Sequence, residues 1–233
     1  MKTTVLLTAT LLLTSFALHA VDKKKKPAAE KSTSSENEKP ATPPESNLSK
    51  EQSVLKTALE NHARLKGFHV DVVIKTDEGS ATLKGALGEK SLALDCTDVK
   101  GVKKQRVVAG GEFFLSLDGG KTWQTGKNAE KETTLIFNNI ITAPLALSKE
   151  LLKGDYTATE EKLDGEEVLH LEKPAKGKNA AMNIWLCRER NVNNMIFLRK
   201  VEMIVSGDGL DLPATIVYSK LSEPVKIDAP GTK

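Results

Sequence analysis

The run EFFLSLDGGKTWQ, Glu112 to Gln124, holds both a strand and the turn that ends it. Phe113, Leu115 and Leu117 alternate with Phe114 and Ser116, the period of two that places one set of side chains on one face of a pleated strand. Asp118-Gly119-Gly120 then supplies residues that tolerate φ > 0, as a tight hairpin turn requires, and the chain runs on into Thr122-Trp123. Upstream the same grammar repeats. Alternating stretches at 68–75, 81–87, 91–97 and 105–109 are separated by Asp77-Glu78-Gly79-Ser80, by Gly88-Glu89 and by Gly110-Gly111. Connections this short cannot cross over to make parallel pairs, so these stretches predict an antiparallel meander.

Two helical patterns interrupt the strands. Ser49-x-x-Gln52 is a capping box, and Val54, Leu55, Ala58, Leu59 and Leu65 follow at helical spacing until Gly67. Between residues 128 and 154 the apolar positions Leu135, Ile136, Ile140, Ile141, Leu145, Leu147, Leu151 and Leu152 predict one or two short helices broken at Pro144. Strands resume at Tyr156. Asp164-Gly165 is a hairpin signal between 156–163 and 166–172, and longer strands are expected at 181–188, 195–205 and 214–219. In the first of these Met182, Ile184 and Leu186 oppose Trp185 and Cys187, so both faces are apolar and the second needs a cover; the helices are the obvious one. The expectation is an α+β domain over 49–230: a curved antiparallel sheet, an incomplete β-barrel of about ten strands, wrapped around two or three helices.

The N-terminal fifth reads as address and tether. Lys2, an apolar run at 5–18 and the small residue Ala20 have the layout of a signal peptide cleaved near Ala20, and the run is too short to span about 30 Å of hydrocarbon. Export to the periplasm is expected, with an uncleaved inner-membrane anchor or outright secretion as the other readings. No Cys stands near the cleavage point for lipid attachment, so a soluble mature chain is expected. Residues 21–48 are rich in Lys, Pro, Ser and Glu with little to bury, which predicts a disordered linker. The net charge of +3 misleads: Lys2 and Lys23 to Lys26 against Asp22 give the first 26 residues +4, leaving −1 for the rest. A balanced domain lacks the basic face that phosphate neutralisation needs, which argues against nucleic acid. The run Lys23, Lys24, Lys25, Lys26 suits transient contact with anionic lipid.

Little in the chain reads as catalytic. Ser116-x-Asp118-x-Gly120-x-Thr122-Trp123 matches the Asp-box turn of sialidases and other β-propellers, but a propeller needs at least four blades of about 40–50 residues, and no repeat is visible. His62, His69 and His170 have no metal-ligand spacing. Gly-x-Ser-x-Gly and phosphate-loop patterns are lacking. Ser206-Gly207-Asp208-Gly209-Leu210-Asp211 lacks the terminal Glu of a calcium loop and reads as a turn. No catalytic residue, metal or cofactor is expected. In an exported chain Cys96 and Cys187 admit a disulfide, with two buried free thiols as the alternative.

The order of elements resembles the periplasmic lipoprotein-carrier superfamily, the LolA/LolB and LppX-like half-barrels. The resemblance rests on the opening amphipathic helix, Phe113 to Trp123, the helical midsection, Asn183-Ile184-Trp185-Leu186, and the ending from Ile216-Val217-Tyr218-Ser219 through Pro224-Val225-Lys226-Ile227. It implies a non-enzymatic carrier whose apolar cavity between sheet and helices takes up acyl chains of lipid or lipoprotein, without a cofactor. The missing lipid-attachment Cys departs from the anchored members. A lid arginine of the carriers has two candidates here, Arg64 and Arg106. Phe113, Leu115, Trp123, Trp185, Phe197 and Ile216 are the expected lining, with membership of an ordinary core as the alternative. The competing function is a secreted interaction or sensor domain with a filled core and a flat apolar patch outside.

Overall fold

Ser49 starts the first helix as the sequence prescribes. In the computed structural model, which describes residues 48–175, 181–207 and 210–231, its hydroxyl accepts from the Gln52 backbone while the Gln52 side chain accepts from the Ser49 backbone at 2.7 Å. Helix α1 (Lys50–His62) buries Leu55, Ala58, Leu59, Asn61 and His62 along one stripe. Burying Leu55 and Leu59 contributes about 2 kcal/mol each. The helix ends at His62, five residues before Gly67, so Gly67 is not its stop. A Cβ on Gly67 would lie 2.6 Å from the Glu223 carbonyl oxygen and 3.1 Å from that of Leu87; glycine is there because the C-terminal segment crosses close above it. The expected signal peptide, the Lys23 to Lys26 run and all but the last residue of the 21–48 linker lie outside the described residues.

Eleven strands follow: β1 (Phe68–Thr76), β2 (Gly79–Gly88), β3 (Ser91–Thr97), β4 (Lys103–Ala109), β5 (Glu112–Ser116), β6 (Gln124–Thr125), β7 (Thr157–Leu163), β8 (Glu166–Lys173), β9 (Met182–Glu189), β10 (Met195–Gly207) and β11 (Leu210–Ser219). They make one curved antiparallel sheet in the order β6-β5-β4-β3-β2-β1-β11-β10-β9-β8-β7, which does not close and leaves β6 and β7 as its edges. Each half is a meander of neighbours in sequence. The halves are joined by the long-range pairing of β1 with β11, where Val70 faces Tyr218 and Val72 faces Ile216. Asp164 (φ 53°) and Gly165 (φ 87°) are both left-handed, the geometry a two-residue hairpin needs to match strand twist.

The midsection is more fragmented than the sequence suggests: α2 (Lys127–Ile136), a π-turn (Phe137–Ile141), α3 (Ala143–Ala146) and α4 (Ser148–Leu151). Pro144 does not break a helix. It sits in the first turn of α3, where its missing N–H costs nothing; the interruption falls at Thr142, whose backbone N–H bonds the Phe137 carbonyl in the wider π pattern. The β5–β6 connection is also wider than a tight turn, spanning 117–123, and Leu117 is exposed rather than the last residue of the strand. Its Asp box is real chemistry: Asp118 accepts from the backbone of Lys121 and Thr122 at 3.0 and 2.9 Å and from the Thr122 hydroxyl at 2.6 Å. These bonds hold the Asp118 carboxyl well below the usual carboxylate range.

Candidate functional site

Following the register across the sheet sorts its two faces. Arg106, Leu94, Gly85, Val70 and Tyr218 form one row over β4, β3, β2, β1 and β11, with Leu115 continuing it on β5. The parallel row through Cys96, Leu83, Val72, Ile216, Val201, Ile184 and Leu171 lies on the same face. All are buried, Gly85 included. This face carries the helices: His62 of α1 packs edge-on against Tyr218 with ring centroids 4.4 Å apart, and α2 packs on β4, β5 and β6. Among the described residues the helix-bearing side is therefore an apolar wall in which the Arg106 guanidinium is buried.

Three side-chain hydrogen bonds illustrate how the helical layer is tied down. The Tyr218 hydroxyl donates to the Ile141 carbonyl of the π-turn at 3.1 Å, and Asn61 donates to the Ile196 carbonyl at 3.0 Å. The Gln52 side chain donates to the Gly154 carbonyl at 3.0 Å, joining α1 to the end of the midsection. Arg106 reaches α2: Nη2 lies 3.3 Å from Glu132 Oε2, and Nη1 lies 3.4 Å from the Cys96 sulfur. Arg106 is 1% exposed, and a buried guanidinium is tolerated only when a counter-charge attends it.

Burial dominates the titration of the groups here. His62, wedged between Phe68 and Tyr218, has no hydrogen-bond partner on either ring nitrogen, and desolvation lowers its pKa to about 4. The same cause raises Tyr218 far above the ordinary phenol range and raises Cys96.

Of the six expected lining residues, Phe113, Leu115 and Ile216 stand on the helix-bearing face. Trp123 lies half-buried in the β5–β6 loop. Trp185 and Phe197 do not face the helices. Trp185 neighbours Ile184 on β9 and so points the other way, where His170 stacks on it at 4.5 Å, Lys200 sits 4.3 Å from the ring centroid and Glu161 accepts from its indole N–H. Phe197 pairs with Cys187, on that same outer face. A bulge between Leu198 and Lys200 shifts the phase of β10, so Leu198 faces the helices while Lys200 faces out. The outer face of β9 is thus covered by side chains of β7, β8 and β10, not by helices as the alternation implied.

Of the two states open to the cysteines, the structure has the free thiols. Cys96 and Cys187 are both buried free thiols, on opposite faces of the sheet and five strand steps apart, whereas a bridge requires Cα atoms within about 7 Å. Among the described residues no group of three or more His, Cys, Asp or Glu gathers that could hold a metal ion. His62, His69 and His170 are apart, on α1, β1 and β8. Arg64, the second lid-arginine candidate, follows α1 and is exposed.

Neither a protein-family model nor a curated protein matches the sequence. Solved structures do. LprF from Mycobacterium bovis superposes with a TM-score of 0.50 at 15% identity, covering 78% of this chain and 98% of its own. The Mycobacterium tuberculosis lipoprotein LppX superposes with a TM-score of 0.48 at 19% identity, covering 76% and 97%. At such identities the likeness is one of fold, and the half-barrel resemblance read from the sequence holds at that level.

Proposed function

We propose that the chain is an exported, non-enzymatic carrier that holds acyl chains of a lipid or lipoprotein between the concave face of its sheet and the helices laid on it. The observation that carries this reading is the pairing of a continuous apolar wall with a cover made of short pieces. The midsection helices are 10, 5, 4 and 4 residues long, too short to be stable alone. They can shift away from the wall without breaking a single strand ladder. Cargo entering there would meet Phe113, Leu115, Ile216 and their neighbours.

The energetics suit a carrier. Each buried methylene contributes about 0.8 kcal/mol whether its destination is protein or bilayer, so uptake and release are nearly balanced. Among the described residues the large apolar side chains that are exposed are Leu48, Val102, Leu117 and Leu147, few for the docking face that the competing reading requires. The signal peptide ending near Ala20, the periplasmic destination, the 21–48 linker and membrane contact through Lys23 to Lys26 belong to the same proposal. No described helix is long and apolar enough to cross a membrane.

Native mass spectrometry of the protein purified from a bacterial envelope is expected to show bound lipid, and the delipidated protein to take up a fluorescent fatty acid. A purified protein without lipid that also fails to take up the probe overturns the reading.

A further inference from the structure

Arg106 is over-provided for the partners it has. A guanidinium offers five N–H donors in a planar fork. Here one hydrogen bond goes to a thiol, a weak acceptor, and one to Glu132 at 3.3 Å, long for a charge-assisted contact. Its Nε has no partner although it is fully buried. Leaving such a donor unsatisfied is costly, and the row neighbours of Arg106, Leu94 and Leu115, are apolar residues in a place an aliphatic side chain could fill.

A second unspent group stands on the opposing helix. Thr133, next to Glu132, is 1% exposed, and its hydroxyl has no partner. Helical hydroxyls ordinarily bond the carbonyl four residues back, as Ser53 and Thr57 of α1 do at 2.8 and 3.0 Å. Thr133 lies on the buried stripe of α2 with Ala129 and Ile136. Glu132, by contrast, keeps 28% of its side chain in solvent, so it can leave Arg106 for water at small cost.

Resting on the carrier reading, we infer that the cargo has an anionic end, a carboxylate or a phosphate, which takes the place of Glu132 on Arg106 and engages the idle Nε and the Thr133 hydroxyl. The exchange replaces one anion by another. The buried cation therefore never goes uncompensated, and the helix is released from its ionic tie as the cargo enters. Specificity follows from the same arrangement: a neutral lipid of equal length displaces no carboxylate and leaves the spare donors unmet.

The test titrates the delipidated full-length protein at pH 8 with cis-parinaric acid and with its methyl ester, followed by fluorescence, and then challenges the bound probe with dioleoylphosphatidic acid. The acid is expected to bind at least tenfold tighter than the ester. Displacement by phosphatidic acid at lower concentration than by oleate assigns the site to a phospholipid headgroup, and the reverse order assigns it to a free fatty acid. In Arg106→Met the acid and ester should bind alike, while Glu132→Gln, which removes the competing anion, should tighten the acid severalfold and leave the ester unchanged. Equal affinity of acid and ester for the wild-type protein overturns this inference alone and leaves carriage standing. Binding of neither overturns both.

Discussion

Acidification is expected to weaken the fold through His62, and the size of the effect follows from its surroundings. The ring is 2% exposed and lies between Phe68 and Tyr218. Neither ring neighbour stabilises its cation by hydrogen bonding, since both ring nitrogens are buried without a partner. Burial lowers the pKa from 6.5 to about 4. In the window between those values the unfolded chain binds a proton that the folded chain refuses, so stability falls as the pH drops through it. The loss from this one group is about 2–3 kcal/mol at pH 4.5 and grows a little further below pH 4. Carboxylates titrate over part of the same range, so the measurement is a difference. Urea unfolding of the wild-type protein and of His62→Leu, at pH 7.5 and 4.5, should show the wild type losing about 2–3 kcal/mol more than the variant. Parallel losses in the two proteins would refute the argument, since they would mean that the ring is hydrated or partnered in solution.

Tyr218→Phe leaves the Ile141 carbonyl without its donor and should cost about 1–3 kcal/mol in thermal or chemical unfolding, with faster amide exchange across the π-turn. Asp118→Ala removes the acceptor that gathers three donors of the β5–β6 loop, so limited proteolysis should cut within 117–123 before any other described segment, while the folded core survives. Gly67→Ala places a methyl against the Glu223 and Leu87 carbonyls and should destabilise by about 1–3 kcal/mol through overpacking; the measurement is the melting temperature. Unreduced, denatured protein should titrate two free thiols, whereas the native protein should react slowly, its Cys187 thiol pushed up to about 12 by burial first and by Glu189 next.

What could be read from the sequence was what local chemistry encodes. The Ser49–Gln52 box, the Asp164-Gly165 turn and the antiparallel sense of every short connection are properties of a few adjacent residues, and each appears in the structure. The β1–β11 pairing that unites the two meanders is set by contacts some 140 residues apart, such as Val70 with Tyr218, and alternation does not state register. Trp185 and Phe197 were misplaced because β9 is apolar on both faces and because the bulge after Leu198 shifts the phase of β10 without a glycine to announce it. In the sequence Arg106 stands out only as a candidate lid arginine. Its burial had one signal: it stands in the hairpin position opposite Leu94, where an aliphatic residue was due. The idle hydroxyl of Thr133 had none, since a threonine in a polar helix looks solvated.

The open sheet has a consequence for the chain's behaviour among its own copies. An unclosed wall ends in two free ladders, the usual invitation to templated growth into fibres. Here one terminus, β6, is two residues long, and the other, β7, is exposed along nearly its whole length and carries Glu160, Glu161 and Lys162. A second molecule adding there would find either no ladder to extend or a row of charges to desolvate. The barrel can thus stay ajar without becoming a seed for polymerisation.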